Sequence, residues 1–412
     1  MGKQRVPLGV WRDLFAPPAS LPLALLLWGI TFCVVSALLL AGRAPTLSYR
    51  VYEAAGRHWL ARQPLYEPHT LEGFQYFPQS AMAFAVFASL GTPAGGLVWR
   101  VAEWAAFASG LWRACGLLAP ERREACFWWA SVLAVGPAIG ALTNGQANLA
   151  LAAFTLHAVV ELAEQRWWRA ASVLAFGVAL KPLLLVLLLL AWALHRALRR
   201  PLLVALAALF SVPWLSAEPG YVAAQYASCV RKMLLSEAAG AGYENLRGLL
   251  ARLGGSLPTW PVWLAALVTL ALCWYVQRRL REPHASLVMA AFAVSYLILF
   301  NPRTQSTSYA MTGALAALLA PMHAAEGRRL RACLPLLLCL TWTVNYNWPG
   351  FGFIECWLKP LAAVVFVVCL LGDTFFSPAG WRDGEARASA RARRRGTARA
   401  PVFEVGTDRG SH

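Results

Sequence analysis

The chain has 412 residues, 58% of them hydrophobic and only 14% charged, with a formal net charge of +17. Apolar residues fall in blocks of about 14 to 22, long enough to span or half-span a membrane, and the runs 21–40 and 361–371 lack the polar periodicity of a soluble amphipathic helix. These features exclude a soluble domain, and they exclude a nucleic-acid partner because the basic residues sit in short clusters between apolar runs, the pattern of cytoplasmic loops.

Residues 1–20 read as a basic cytoplasmic segment, and 21–40 as a retained first helix: Lys3, Arg5 and Arg12 precede it and Ala41-Gly42-Arg43 ends it, a poor cleavage signal. A large external loop follows over 43–96. It carries two helical segments, one amphipathic near Tyr49 to Ala61 and one near Ser80 to Leu90 that lies on the outer leaflet, since a dozen residues are too few to cross. Basic clusters at Arg122-Arg123, Arg166 with Arg169, 195–200, 277–281 and 328–331 are assigned to the cytoplasm. The connections 143–146, 216–258, 301–305 and 345–355 then face the other side, giving about twelve crossings with both ends inside.

Between two of those basic clusters, Lys181-Pro182 interrupts the run 168–198 at its midpoint. Proline removes a backbone donor and breaks the helical ladder. Two half-length helices of about 20 Å would meet there, placing Lys181 in a cavity at membrane depth; a single tilted helix with a snorkelling lysine is the alternative. The membrane domain ends near residue 376, and the Arg/Ala-rich tail 377–412 reads as disordered and able to rest on anionic headgroups.

Not one aspartate occurs between Asp13 and Asp373, and the few carboxylates in that stretch read as lying almost wholly outside the apolar runs. Acid/base chemistry must therefore fall to glutamates. Nine cysteines without CxxC spacing indicate neither a disulfide framework nor a metal site.

Four polar motifs converge on the non-cytoplasmic side. They are the loop residues Ser48-Tyr49-Arg50-Val51-Tyr52-Glu53 with Pro64-Leu65-Tyr66 and Phe74-Gln75-Tyr76-Phe77-Pro78-Gln79; Asn144-Gly145-Gln146-Ala147-Asn148; Lys181-Pro182; and Asn301-Pro302-Arg303-Thr304-Gln305. Amides at a membrane face suit the reading of hydroxyl groups, and a lysine with an arginine suits the holding of phosphate. Singly, each has a bland explanation as a turn, an interfacial aromatic or a headgroup contact.

In this order the motifs resemble glycosyltransferase family 87 over roughly 48–309. The resemblance implies an all-α GT-C-type bundle in the plasma (inner) membrane, with its active site toward the periplasm or exterior. It implies transfer of a hexose, mannose by analogy, from a polyprenyl-phosphate donor to a glycan or glycolipid acceptor, with no metal or other cofactor. Lys181 and Arg303 would hold the phosphate, while Asn144, Gln146, Asn148, Tyr76, Gln79 and Tyr52 would orient the sugar. The family's usual first-loop aspartate, its base, is replaced here by Ser48. Glu53, then Glu72, then Glu244 are the candidates to take over its role. A sugar-lipid binding protein or flippase without the chemistry is the alternative, and a transporter is disfavoured because the polar groups cluster toward one face.

Overall fold

The computed structural model describes residues 20–43, 47–67, 73–235, 243–325, 327–344 and 352–376, and among these every regular element is a helix. The first apolar run forms α1 (Ser20–Leu40). It buries Ala24, Trp28, Thr31, Val35 and Leu39, a stripe of three- and four-residue spacing, and leaves Leu25 and Leu26 exposed, as a lipid-facing helix does. Trp28 fixes the stripe against α5 (Arg123–Asn144) by donating from Nε1 to Ser131 Oγ at 2.9 Å.

The first connection is helical, as expected. Amphipathic α2 (Leu47–Leu60) packs along α3 (Pro78–Ala88), whose 11 residues rise only about 16 Å. Next come α4 (Ala94–Leu118), α5 and α6 (Asn148–Ala163). Together with α13 (His284–Phe300) and α14 (Tyr309–Ala325), these form the centre of the bundle, and α6 and α13 are mainly apolar because nearly every residue on them is buried. Small residues let the axes approach: a Cβ added at Gly313 would lie 2.6 Å from Pro137 Cβ.

The break at Lys181-Pro182 is a reversal. Helix α7 (Trp167–Leu180) stops at Lys181, which is extended (φ −154°, ψ 125°); a single turn over Pro182–Leu184 leads into α8 (Leu185–Leu194). The chain then returns to its starting level, since Arg166 and Arg169 line the same hollow as Ala197 and Arg200. One tilted helix cannot do this. Ser80 Oγ lies 2.6 and 2.7 Å from the carbonyls of Ala179 and Leu180 and satisfies acceptors that the broken ladder exposes.

The remaining helices are α9 (Arg199–Ser216), α10 (Pro219–Leu235), α11 (Leu246–Arg252), α12 (Thr259–Arg279), α15 (Arg329–Thr343) and α16 (Gly352–Phe375). Among the described residues, 5 helical stretches are long and apolar enough to cross a membrane: 20–40, 120–144, 196–216, 259–279 and 355–375. Further apolar helices have only 10–17 residues, so length and apolarity alone do not reach the number of crossings read from the charge pattern. Glu72, residues 1–19, the 236–242 part of the loop 216–258, the 345–351 part of the last connection and the tail from 377 lie outside the described residues.

The carboxylates require a correction. Glu103, Glu161 and Glu355 lie inside apolar helices and are at most 3% exposed. Two are neutralised by partners hard to see in the sequence: Arg113 on α4 pairs with Glu161 on α6 at 2.5 Å, and Lys359 pairs with Glu355 one turn away at 2.6 Å. Glu103 lies three residues from the buried Arg100, one turn along α4.

Candidate active site

A cavity of ≈ 380 Å³ is lined by Ser48, Val51 and Tyr52 of α2, Gly73, Gln75 and Tyr76 ahead of α3, and Gln146 between α5 and α6. Lys181 and Pro182 at the hairpin tip, Met233 of α10, Tyr243, and Asn301, Arg303 and Gln305 between α13 and α14 complete its polar wall. All four motifs meet in this space, although they lie far apart in the chain.

The tip of the hairpin carries Lys181 to the cavity, where it is only 8% exposed. Its Nζ donates to Asn148 Oδ1 at 2.6 Å and sits 5.3 Å from the centre of the Tyr76 ring. Asn148 is itself aimed from behind, because its Nδ2 donates to Thr307 Oγ1 at 3.0 Å and to Ser308 Oγ at 3.1 Å. Both hydroxyls belong to the turn that opens α14, so the lysine is oriented by a neutral amide anchored to a separate helix.

Opposite Lys181, Arg303 donates to Gln75 Oε1, and Gln146 bridges Gln305 and Thr307. This leaves a belt of amides around the cavity. The Tyr52 and Tyr76 hydroxyls lie 3.3 Å apart, and the Ala147 amide donates to Tyr52 OH at 3.3 Å. Burial, followed by the influence of Tyr76, raises the Tyr52 phenol well above its ordinary value, keeping it a neutral donor.

The Asn-Gly-Gln turn holds its shape for a local reason. Gly145 sits at φ 60°, a left-handed helix end that favours glycine, and a Cβ there would come within 3.0 Å of Arg100. Arg100 is fully buried and donates to the carbonyls of Leu142 (2.9 Å), Thr143 (2.7 Å) and Gly96 (3.0 Å), holding the end of α5 against α4.

Among the described residues no carboxylate lines the cavity. Ser48 does line it, but Glu53 turns away and takes an ion pair with Arg57 at 2.6 Å and a hydrogen bond from Thr92. Asn144 and Gln79 are buried outside the lining, and Asn148 acts through Lys181. Glu244 follows the lining residue Tyr243. Its backbone is fixed by N–H donation to Thr304 O at 3.0 Å and by Tyr309 OH donating to its carbonyl at 2.8 Å. Burial, reinforced by the charge of Glu355, pushes the Glu244 carboxyl up to about 7.

Sequence reasoning quoted Gln75, Asn301 and Gln305 within motifs without assigning them to the site. It missed Lys232, whose Nζ donates to Glu67 O at 3.1 Å, and whose ammonium is pushed down by burial and by nearby Arg303. It also missed the buried Glu355–Lys359 pair, joined by Ser306, which donates to Glu355 and accepts from Lys359. No charge run or turn residue marks either. Among the described residues, no three His, Cys, Asp or Glu side chains gather closely enough to hold a metal ion.

The profile of glycosyltransferase family 87 matches residues 74–302, more than half of the chain, beginning one residue after Gly73 of the cavity wall and ending beside Arg303. No curated protein matches the chain.

Proposed function

The chain belongs to glycosyltransferase family 87, and we propose that it moves a hexose, mannose by family analogy, from a polyprenyl-phosphate donor to a hydroxyl of a glycan or glycolipid acceptor. The reaction takes place on the non-cytoplasmic side of the plasma membrane, within a bundle of GT-C type whose shorter helices complete the crossings. The observation that carries this reading is Lys181: a cation nine-tenths buried at the tip of a re-entrant hairpin, with an amide as its hydrogen-bond partner and Arg303 in the same cavity.

A cation so placed keeps most of its charge for a ligand. The donor's phosphate would lie between Lys181 and Arg303, each giving charge-assisted hydrogen bonds that strengthen as the bond from anomeric carbon to phosphate oxygen breaks and negative charge grows on the leaving lipid phosphate. These two side chains supply the neutralisation for which a metal would otherwise be used. Gln146, Gln305, Gln75 and Asn301 would read sugar hydroxyls, and Tyr76 and Tyr52 would offer ring faces and hydroxyl donors.

As the acceptor oxygen bonds to the anomeric carbon, its proton must pass to a base. Glu244 fits that role better than Glu53, because it adjoins the cavity wall and titrates at about 7, whereas Glu53 is occupied by Arg57 and Thr92. Ser48 would then act as a hydrogen-bonding wall residue.

A second reading, a lipid-linked sugar binder without catalysis, is favoured by the absence of a carboxylate from the described lining. One assay separates the two: transfer of radiolabelled sugar from polyprenyl-phosphate donors in membranes, alongside donor binding, for wild type, Lys181→Ala, Glu244→Gln and Glu53→Gln. The transferase reading expects Glu53→Gln to stay active, Lys181→Ala to lose both activities, and Glu244→Gln to bind donor but transfer little. Wild type that binds the donor but never transfers from it would establish the binder.

A further inference from the structure

One helix length from the cavity, about 20 Å along α7, the base of the same hairpin forms a second hollow of ≈ 560 Å³. Its wall comes from the two ends of the hairpin: Arg166, Trp167, Trp168 and Arg169 at the start of α7, and Arg200 and Pro201 opening α9. Among the described residues no carboxylate lines it. The sequence marks these arginines only as topogenic charge, and the transfer chemistry uses none of them.

The three arginines are not equivalent. Arg166 is partly satisfied by Glu164 at 2.8 Å. Arg169 and Arg200 are exposed and have no ion-pair partner among the described residues, so two guanidinium forks face one concavity without an anion. Neighbouring Arg199 is occupied, donating to the carbonyls of Trp192 (3.1 Å) and Ala193 (3.3 Å) at the end of α8. The Trp167 ring lies tilted against His195 at 5.5 Å, which stiffens the floor, while Trp168 projects with 59% of its surface exposed.

We infer that this hollow binds the phosphate of an anionic membrane lipid in the leaflet opposite the donor cavity. A guanidinium matches phosphate oxygens with paired donors, and tryptophan settles at headgroup level. The choice of a lipid over a free anion rests on what lies beyond the rim: Phe176 of α7 and Leu203 and Val204 of α9 are exposed apolar side chains. They continue from the charged hollow along the helices that would contact acyl chains. Phosphate at Arg169 and Arg200 with chains laid over these residues satisfies both surfaces, whereas inorganic phosphate satisfies one. Bridging the two ends of the hairpin also ties this site to the element that presents Lys181.

The test is native mass spectrometry of the purified full chain titrated with phosphatidylglycerol, with diacylglycerol as a chain-only probe and inorganic phosphate as a headgroup-only probe. Wild type should retain one phosphatidylglycerol molecule tightly. Arg169→Gln/Arg200→Gln should weaken that binding about thirtyfold, while Arg122→Gln, exposed in a different basic cluster, should leave it unchanged. An unchanged melting temperature for the double variant establishes that it is folded. Equal retention by the double variant, or equal retention of diacylglycerol by wild type, overturns the inference. Displacement of phosphatidylglycerol by equimolar inorganic phosphate would mark a free-anion site and overturn the lipid assignment.

Discussion

Three lysines are buried among the described residues, and two of them, Lys359 and Lys181, are buried in opposite ways. Lys359, 2% exposed in the first turns of α16, has a carboxylate of its own, Glu355, which is 0% exposed and 2.6 Å away. Lys181, 8% exposed at the hairpin tip, has an amide, Asn148, at almost the same distance. The first pair is electrically complete and acts as a structural link through Ser306 to the turn before α14. The second satisfies hydrogen-bond geometry while leaving the charge uncompensated, which is the condition for attracting an anion. What partners a buried cation says more about its role than how deeply it is buried.

The contrast can be broken at either end. The largest effect is expected at the complete pair: Glu355→Gln deprives the buried Lys359 of its paired carboxylate and should cost about 3–5 kcal/mol in thermal unfolding, most of it recovered in Glu355→Gln/Lys359→Met. Lys181→Ala should leave the melting temperature close to wild type while weakening polyprenyl-phosphate binding about a hundredfold, the worth of losing hydrogen bonds to a charged group. Asn148→Asp is the sharper experiment. It gives Lys181 the carboxylate that Lys359 already has, so donor binding should fall about tenfold with no loss of stability; unchanged binding would mean that the uncompensated charge is not what holds the donor.

Smaller effects concern the surroundings. The Glu244 carboxyl is raised to about 7 from an ordinary 4.5, so the folded chain holds that proton more tightly than the unfolded chain does. Its contribution to stability is complete below about pH 4.5 and is lost as the pH rises through 7, while transfer should rise over the same interval as the base ionises. Glu244→Gln should flatten the stability slope, measured by unfolding at a series of pH values. Ser80→Ala removes the hydroxyl that serves the Ala179 and Leu180 carbonyls and should cost about 1 kcal/mol, with a modest loss of donor affinity as the tip loosens.

The parts of this arrangement that could be read in the sequence are those where an unusual residue interrupts an apolar run. Lys181-Pro182 announced both the reversal and the buried lysine, because proline has one physical effect in a helix and lysine is costly at that depth. Asn144-Gly145 announced the turn. The Glu355–Lys359 pair was invisible, since Glu-x-x-x-Lys at a helix start reads like any solvated turn, and only packing against Ser306 shows that it is buried. Glu53 read as an external carboxylate on the right loop, but the helical phase of α2 turns it toward Thr92 and away from the cavity that Ser48 and Tyr52 face. The number of crossings does not follow from helix length, because charge parity counts every apolar run alike, whereas several apolar helices have only 10–17 residues.

Arg100 also bears on how the molecule is made. Helix α4 emerges from the ribosome with Arg100 and Glu103 one turn apart in its first half, and an unpartnered guanidinium is costly in an apolar surrounding. The carbonyls of Leu142 and Thr143 that receive its guanidinium belong to the far end of the following helix and are synthesised some forty residues later. Helix α4 is therefore poorly suited to partition into the bilayer by itself and well suited to wait at the insertion machinery until α5 is complete. The two would enter the membrane as a preassembled pair, with the Asn144 end of α5 already tied to α4 through Arg100.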